Sequence, residues 1–218
     1  MIKERLKEIQ DNIPENVTLV AVSKTKPPEM IQEAYDAGHR IFGENRAQEL
    51  AEKYKLLPDD IEWHMIGHLQ RNKVKYIAPF VKLIHGVDSF KLLKEINKQA
   101  AKNDRIQDVL LQFHIAQEST KFGFDMNEVK DMLVNPEFKA LDNIRIRGVM
   151  GMATFTSDSR QVREEFHELK TMFEELRNQH FSDDFNIISM GMSGDYGLAI
   201  EQGSNMIRVG SSIFGSRN

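Results

Sequence analysis

The sequence contains no cysteine. Disulfides, thiolate chemistry and cysteine-based zinc sites are therefore excluded, and a reducing compartment is compatible with the composition. No apolar run approaches the roughly 18 residues that a membrane helix needs. The opening stretch, MIKERLKEIQDNIPEN, is too charged for a signal peptide. A basic excess is also missing. The formal charge is −4, which argues against nucleic acid as a partner. No proline-, glycine- or serine-rich linker, low-complexity segment or internal repeat interrupts the 218 residues. What remains is a globular composition, 40% hydrophobic and 28% charged, and the expectation is a cytoplasmic protein with no membrane segment.

What is present begins with Leu19-Val20-Ala21-Val22-Ser23-Lys24-Thr25-Lys26-Pro27. An apolar strand ends in a lysine and then breaks at proline. Such a lysine either snorkels to the surface, sits buried with a partner, or serves as a nucleophilic amine. Burial favours the neutral amine because the charged form loses its hydration, and only the neutral amine attacks a carbonyl. Lys24 is thus a candidate Schiff-base lysine.

Strand-like runs alternate with helical patterns along the whole chain. Ile2, Leu6, Ile9 and Ile13 follow helical spacing and predict an amphipathic helix over about 1–12. The apolar runs predict strands over 18–23, 41–43, 61–66, 81–87, 108–115, 144–150, 185–190 and 206–209. Helices are expected over 28–37, 45–56, 70–78, 89–102, 125–134, 159–178 and 196–202, with a further short turn at the end. Eight such units predict a parallel sheet closed as a single (β/α)₈ barrel domain over 1–218. An open doubly wound sheet is the alternative, but the turn after the first strand, Lys24-Thr25-Lys26-Pro27, lacks the glycines of a dinucleotide fingerprint.

In a barrel the residues just after each strand meet on one face. Here that rule gathers Ser23 to Lys26, Gly43-Glu44-Asn45, His64 to His68, His85 and Asp88. It adds His114 with Ser119, Thr120 and Lys121, then Gly148 and Met150. The last two loops, Gly191-Met192-Ser193-Gly194-Asp195 and Arg208-Val209-Gly210-Ser211-Ser212, combine glycine with serine ahead of a helical turn. They could be ordinary capped turns. In register after strands seven and eight they match the usual place of a barrel phosphate site. Arg208 shares a face with Gly210, and it contacts either a ligand or a mouth acid such as Glu44 or Asp88. No HExxH or similar pair supports a metal. A lysine imine facing a phosphate cradle describes pyridoxal 5′-phosphate (PLP).

The motifs Ala21-Val22-Ser23-Lys24-Thr25-Lys26-Pro27, Phe42-Gly43-Glu44-Asn45, Glu62-Trp63-His64-x-Ile66-Gly67 and Leu69-Gln70-x-Asn72-Lys73 occur in this order. They are followed by Lys121-x-Gly123, Arg147-Gly148-x-Met150, Gly191-Met192-Ser193, and Arg208-x-Gly210 with Ile213-Phe214-Gly215. Together they resemble the pyridoxal phosphate homeostasis protein family, the YggS/PROSC type. The resemblance implies a PLP fold-type III barrel similar to the alanine racemase N-terminal domain. It implies PLP held on Lys24 as an internal aldimine, phosphate contacts from Met192, Ser193, Gly210 and Ser211, and ring contacts from Asn45 and Arg208. An arginine at the pyridine nitrogen keeps that atom unprotonated and weakens PLP as an electron sink. The family is associated with PLP homeostasis, without an established reaction. In two places the chain departs from the common pattern. Ser211 stands where threonine is frequent, and Gly194 precedes Asp195 where an acid is frequent, which leaves Asp195 without an assigned role.

Three functions compete. One is a non-catalytic PLP carrier serving PLP-dependent apo-enzymes. The second is an amino-acid racemase, which in this fold needs a second base on a separate β-domain. The chain has no such domain after Gly210, so a monomer is expected. The nearest tyrosine to that role is Tyr196. The third is a sugar-phosphate enzyme with Lys24 as an aldolase-like lysine.

Overall fold

The computed structural model describes residues 1–117 and 122–215. The expectations for Ser119, Thr120 and Lys121 lie outside the described residues. Eight strands form the barrel: β1 (Thr18–Val22), β2 (Ile41–Glu44), β3 (Glu62–Met65), β4 (Leu83–Val87), β5 (Gln107–Gln112), β6 (Ile144–Met150), β7 (Ile187–Met192) and β8 (Met206–Val209). Each pairs in parallel with its neighbour in sequence. β8 closes on β1, with Val20 opposite Arg208 and Ala21 opposite Val209. Around the barrel run α1 (Ile2–Asn12), α2 (Pro28–Asp36), α3 (Ala47–Leu56), α4 (Val74–Ile77), α5 (Phe90–Lys102), α6 (Met126–Val134), α7 (Pro136–Lys139), α8 (Ser159–Gln179), α9 (Tyr196–Glu201) and α10 (Ser211–Phe214).

The strands are apolar on both faces because both faces are covered. Alternate residues point inward, and Val20, Val22, Ile66, Leu83, Leu110, Met150 and Met206 form the interior layer. Their neighbours, among them Ala21, Phe42, Trp63, Ile84 and Val109, pack outward against the helices. Local signals start the helices where the chain needs them. Ser89 caps α5 by accepting from the Leu92 N–H, and Asp125 and Glu128 form a reciprocal capping box on α6.

Four elements differ from the sequence expectation. The helix expected over 70–78 is a 3₁₀ turn at Arg71–Lys73 followed by α4. α7 was not anticipated. Pro136 cannot continue α6 because it lacks an N–H, but it suits the first turn of a new helix, which Asn135 caps at 2.9 Å through the Glu137 N–H. The fifth strand stops at Gln112 rather than 115, and Phe113 instead bridges Phe124. The seventh strand lies two residues later than expected. Phe185 precedes it, stacked against Phe173 and Phe181 under the helices, and the strand carries Gly191 and Met192 to its end.

Candidate functional site

The carboxyl ends of the strands open into one cavity of about 610 Å³. All seven residues singled out by the sequence line it: Lys24 after β1, Asn45 after β2, Met192 and Ser193 at the end of β7, Arg208 in β8, and Gly210 and Ser211 beyond it. Lys26 lines it too, while Phe122, Met152 and Phe155 form an exposed apolar rim. A second, more open depression lies on the outside among α1, α2 and α3, and none of the seven reaches it.

Lys24 is half-buried, and the backbone on either side of it is braced from behind. Ser23 points outward and donates to Glu44 Oε1 at 2.6 Å. Lys53, reaching up from α3, donates to that same oxygen at 2.7 Å, to the Ser23 carbonyl at 2.9 Å and to Glu49 Oε1 at 2.7 Å. The Thr25 N–H donates to Glu49 at 2.6 Å. This bond holds Thr25 at a φ of 64°, a conformation that β-branched residues rarely adopt. Glu44 is fully buried, and its Oε2 has no partner. Burial pushes its carboxyl up to about 7 against the pull of Lys53. Glu49 is held low by Lys53 and the Thr25 N–H despite partial burial. Two carboxylates thus share one ammonium beneath the lysine.

Asp195 gains a role that the sequence did not give it. Its carboxylate accepts from the Met192 N–H at 2.6 Å while its own N–H donates to the Met192 carbonyl at 3.0 Å, so the loop after β7 is locked shut. Ser193 Oγ accepts from the Gly210 N–H at 3.1 Å and ties the two glycine-serine segments together. Gly191 sits where a side chain would fail. Its φ is +99°, and an added Cβ would lie 2.7 Å from Ala199 Cβ and 2.9 Å from Tyr196 Cα. Gly191→Ala is expected to destabilise the protein by about 1–3 kcal/mol and to displace Ser193. Urea unfolding checks the first effect, and an unchanged midpoint would refute it.

Arg208 does not pair with Glu44 or Asp88, the mouth acids that stood as the alternative to a ligand contact. Glu44 faces Lys53 outside the barrel, and Asp88 pairs with His68 at 3.1 Å. Arg208 is almost wholly buried and donates to Ser189 Oγ and to the Gly151 carbonyl. Burial lowers it to about 10, with the Asp195 carboxylate opposing the fall. His64 and His85 also depart from expectation. They lie inside the barrel rather than at its mouth, because inward parity on β3 and β4 points them there. Among the described residues no tyrosine lines the cavity. Tyr196, the candidate second base, opens α9 and packs against the hydrophobic core instead.

The family described as alanine racemase, N-terminal domain, matches residues 1–218. A pyridoxal phosphate homeostasis protein of Aquifex aeolicus is 40% identical over 205 residues, covering 91% of this chain and 86% of that one. The chain belongs to the pyridoxal phosphate homeostasis protein family. PipY of Synechococcus elongatus superimposes on it with a TM-score of 0.92 at 36% identity, covering 99% of this chain and all of that one. PipY has also been solved with PLP bound, and that structure matches with a TM-score of 0.88. An alanine racemase of Clostridium difficile shares the fold, with a TM-score of 0.81 at 15% identity, and this chain covers 60% of its length. Within this homeostasis protein family barrel, sequence reasoning found the cavity lining but missed the brace of Ser23, Glu44, Glu49 and Lys53. Glu49 and Lys53 stand at i,i+4 on α3, a spacing the sequence displays, whereas Glu44 on β2 and Ser23 after β1 lie 9 and 30 residues from Lys53. Nothing local reveals that Ser23 and Glu44 join that pair.

Proposed function

We propose that this protein binds PLP covalently on Lys24, supports intracellular PLP homeostasis, and does not turn over a substrate of its own. The observation that carries the reading is that seven residues spread from Lys24 to Ser211 border one cavity at the strand ends. The donor set fits the group. Lys24 after β1 offers an amine for an aldehyde, and Ser193, Gly210 and Ser211, at the ends of the neighbouring strands β7 and β8, offer hydroxyls and backbone N–H groups for a phosphate. Asn45 and Arg208, which line the same cavity, would contact the ring. Bound PLP supplies an aldehyde carbon and an electron-withdrawing ring. A guanidinium at the ring nitrogen leaves that nitrogen without a proton and makes the ring a poor electron sink. Holding PLP is then easier for this site than carbanion chemistry. In the same reading the protein works as a cytoplasmic monomer that gives PLP up to PLP-dependent apo-enzymes and takes no nucleic acid, in keeping with its net charge of −4.

The test is to mix the purified protein with PLP, record the visible spectrum, reduce with borohydride and map the modified peptide. One equivalent on Lys24 is expected. A protein that stays colourless, or carries the label on another lysine, refutes the reading. Following L-alanine and other amino acids by optical activity tests the non-catalytic part. Sustained loss of rotation that disappears in Lys24→Ala would refute it and favour a racemase.

A further inference from the structure

Four polar side chains run in single file across the barrel interior. His64 Nδ1 lies 2.9 Å from His85 Nε2, and His85 Nδ1 lies 2.8 Å from Ser189 Oγ. Ser189 Oγ accepts from Arg208, whose other amino group donates to the Gly151 carbonyl at 3.2 Å. All four are buried. None lies near its neighbours in sequence, for they come from β3, β4, β7 and β8.

The donor order follows from what each group can do. A guanidinium only donates, so Ser189 Oγ is the acceptor from Arg208. Ser189 then has a proton to place in a fully buried position, and the His85 Nδ1 atom is within reach to take it. That fixes His85 with its hydrogen on Nε2, which donates to His64 Nδ1. His64 in turn carries its hydrogen on Nε2. In the reverse order Ser189 would accept from both neighbours, and its own proton would lose the His85 acceptor. Both rings are neutral. Burial drives His64 down to about 3 and His85 well below the usual imidazole range, and the positive charge of Arg208 adds to the effect on His85. Every link therefore donates away from the cation, and each polarises the next in the same sense.

We infer that Ser189, His85 and His64 are positioning residues that hold the Arg208 guanidinium, through one ordered chain of hydrogen bonds, in the orientation that meets the cofactor ring. The ring contact rests on the reading under Proposed function, whereas the chain of bonds does not. Without His85, Ser189 is free to rotate and Arg208 is free to turn toward the Asp195 carboxylate at the cavity wall.

Two measurements test this, and the first uses protein without PLP. Side-chain ¹⁵N spectra are expected to show both histidines as neutral Nε2–H forms. Arg208 N–H exchange is expected to quicken by about 10-fold in His85→Leu. In the second, PLP affinity is measured for His85→Leu, Ser189→Ala and His85→Asn. The first two are expected to bind about 10-fold more weakly. His85→Asn restores an acceptor at the Nδ1 position, so it is expected to regain much of the affinity, although a polar amide fills an apolar layer less well than leucine. A merely structural role predicts the opposite order. An Nδ1–H form of His85, unchanged Arg208 exchange in His85→Leu, or parent-like PLP affinity in that variant overturns the inference. If the parent itself takes up no PLP, the proposed function fails, and the spectra still decide the order of the chain.

Discussion

A Lys24→Ala protein is expected to fold as the parent does and to lose PLP that borohydride can fix. The label should fall from about one equivalent to background, and equilibrium affinity should fall by about 100-fold or more, roughly 2.7 kcal/mol. The side chain lines the cavity, and Ser23 and Thr25 on either side of it carry bonds of their own that shape this turn. Ser23 and Thr25 keep their contacts to Glu44, Lys53 and Glu49 in the variant, so the fold should survive and urea unfolding should remain a single cooperative transition. That separates a lost attachment from a lost fold. Lys26 also lines the cavity, and slow residual labelling at high PLP is expected there and should vanish in Lys24→Ala/Lys26→Ala. Undiminished labelling of Lys24→Ala, with Lys26 unmodified, would remove Lys24 from the site.

Lys53→Met is expected to give the largest loss of stability. It strips the ammonium from two carboxylates while keeping the bulk of the chain. Removing one partner of a buried ion pair costs about 3–5 kcal/mol, because the remaining charge is left unpaired. The loss should depend on pH in a defined direction. The Glu44 carboxyl stands at about 7 in the fold against 4.5 as its ordinary value, so the folded state holds a proton that the unfolded state has released. The stability from this group is therefore fully present below about 4.5, declines as pH rises through the window to about 7, and is absent above it. The span corresponds to something on the order of 3 kcal/mol. Urea unfolding of Lys53→Met at pH 8 should show the full deficit, and at pH 5.5, where Glu44 takes up its proton, a smaller one. Adding Glu44→Gln should recover part of the deficit at pH 8. Equal deficits at both pH values would show that Glu44 does not titrate in this range.

The barrel was legible because its two determinants are local and repetitive. Doubly buried strands read as unbroken apolar runs, and the helices between them keep their own period and caps. The cavity lining was legible for a related reason. A parallel barrel sends the residue after every strand to the same face, so Lys24, Asn45, Ser193 and Ser211 need no knowledge of their partners to be placed together. Partner choice was not legible. For Arg208 charge alone offered Glu44 or Asp88 as the alternative to a ligand, yet inward parity gave it Ser189, and outward parity gave Glu44 to Lys53. His64 and His85 sit in short strands with no polar neighbour beside them, and only closure of the barrel brings them into contact with each other and with Ser189. Pro136 was visible, but a proline ends one helix and begins another with the same chemistry.

The seam between β1 and β8 has a consequence for the life of the chain. Lys24 follows the first strand, and Arg208, Gly210 and Ser211 belong to the last, with Val20 facing Arg208 across the join. A ribosome must therefore produce nearly the whole barrel before the two halves of the cavity exist. A cofactor held from both halves would in that sense be a completion signal, bound in full only by the closed barrel. Because PLP would bind only the closed form, its concentration would also set how tightly the seam stays shut.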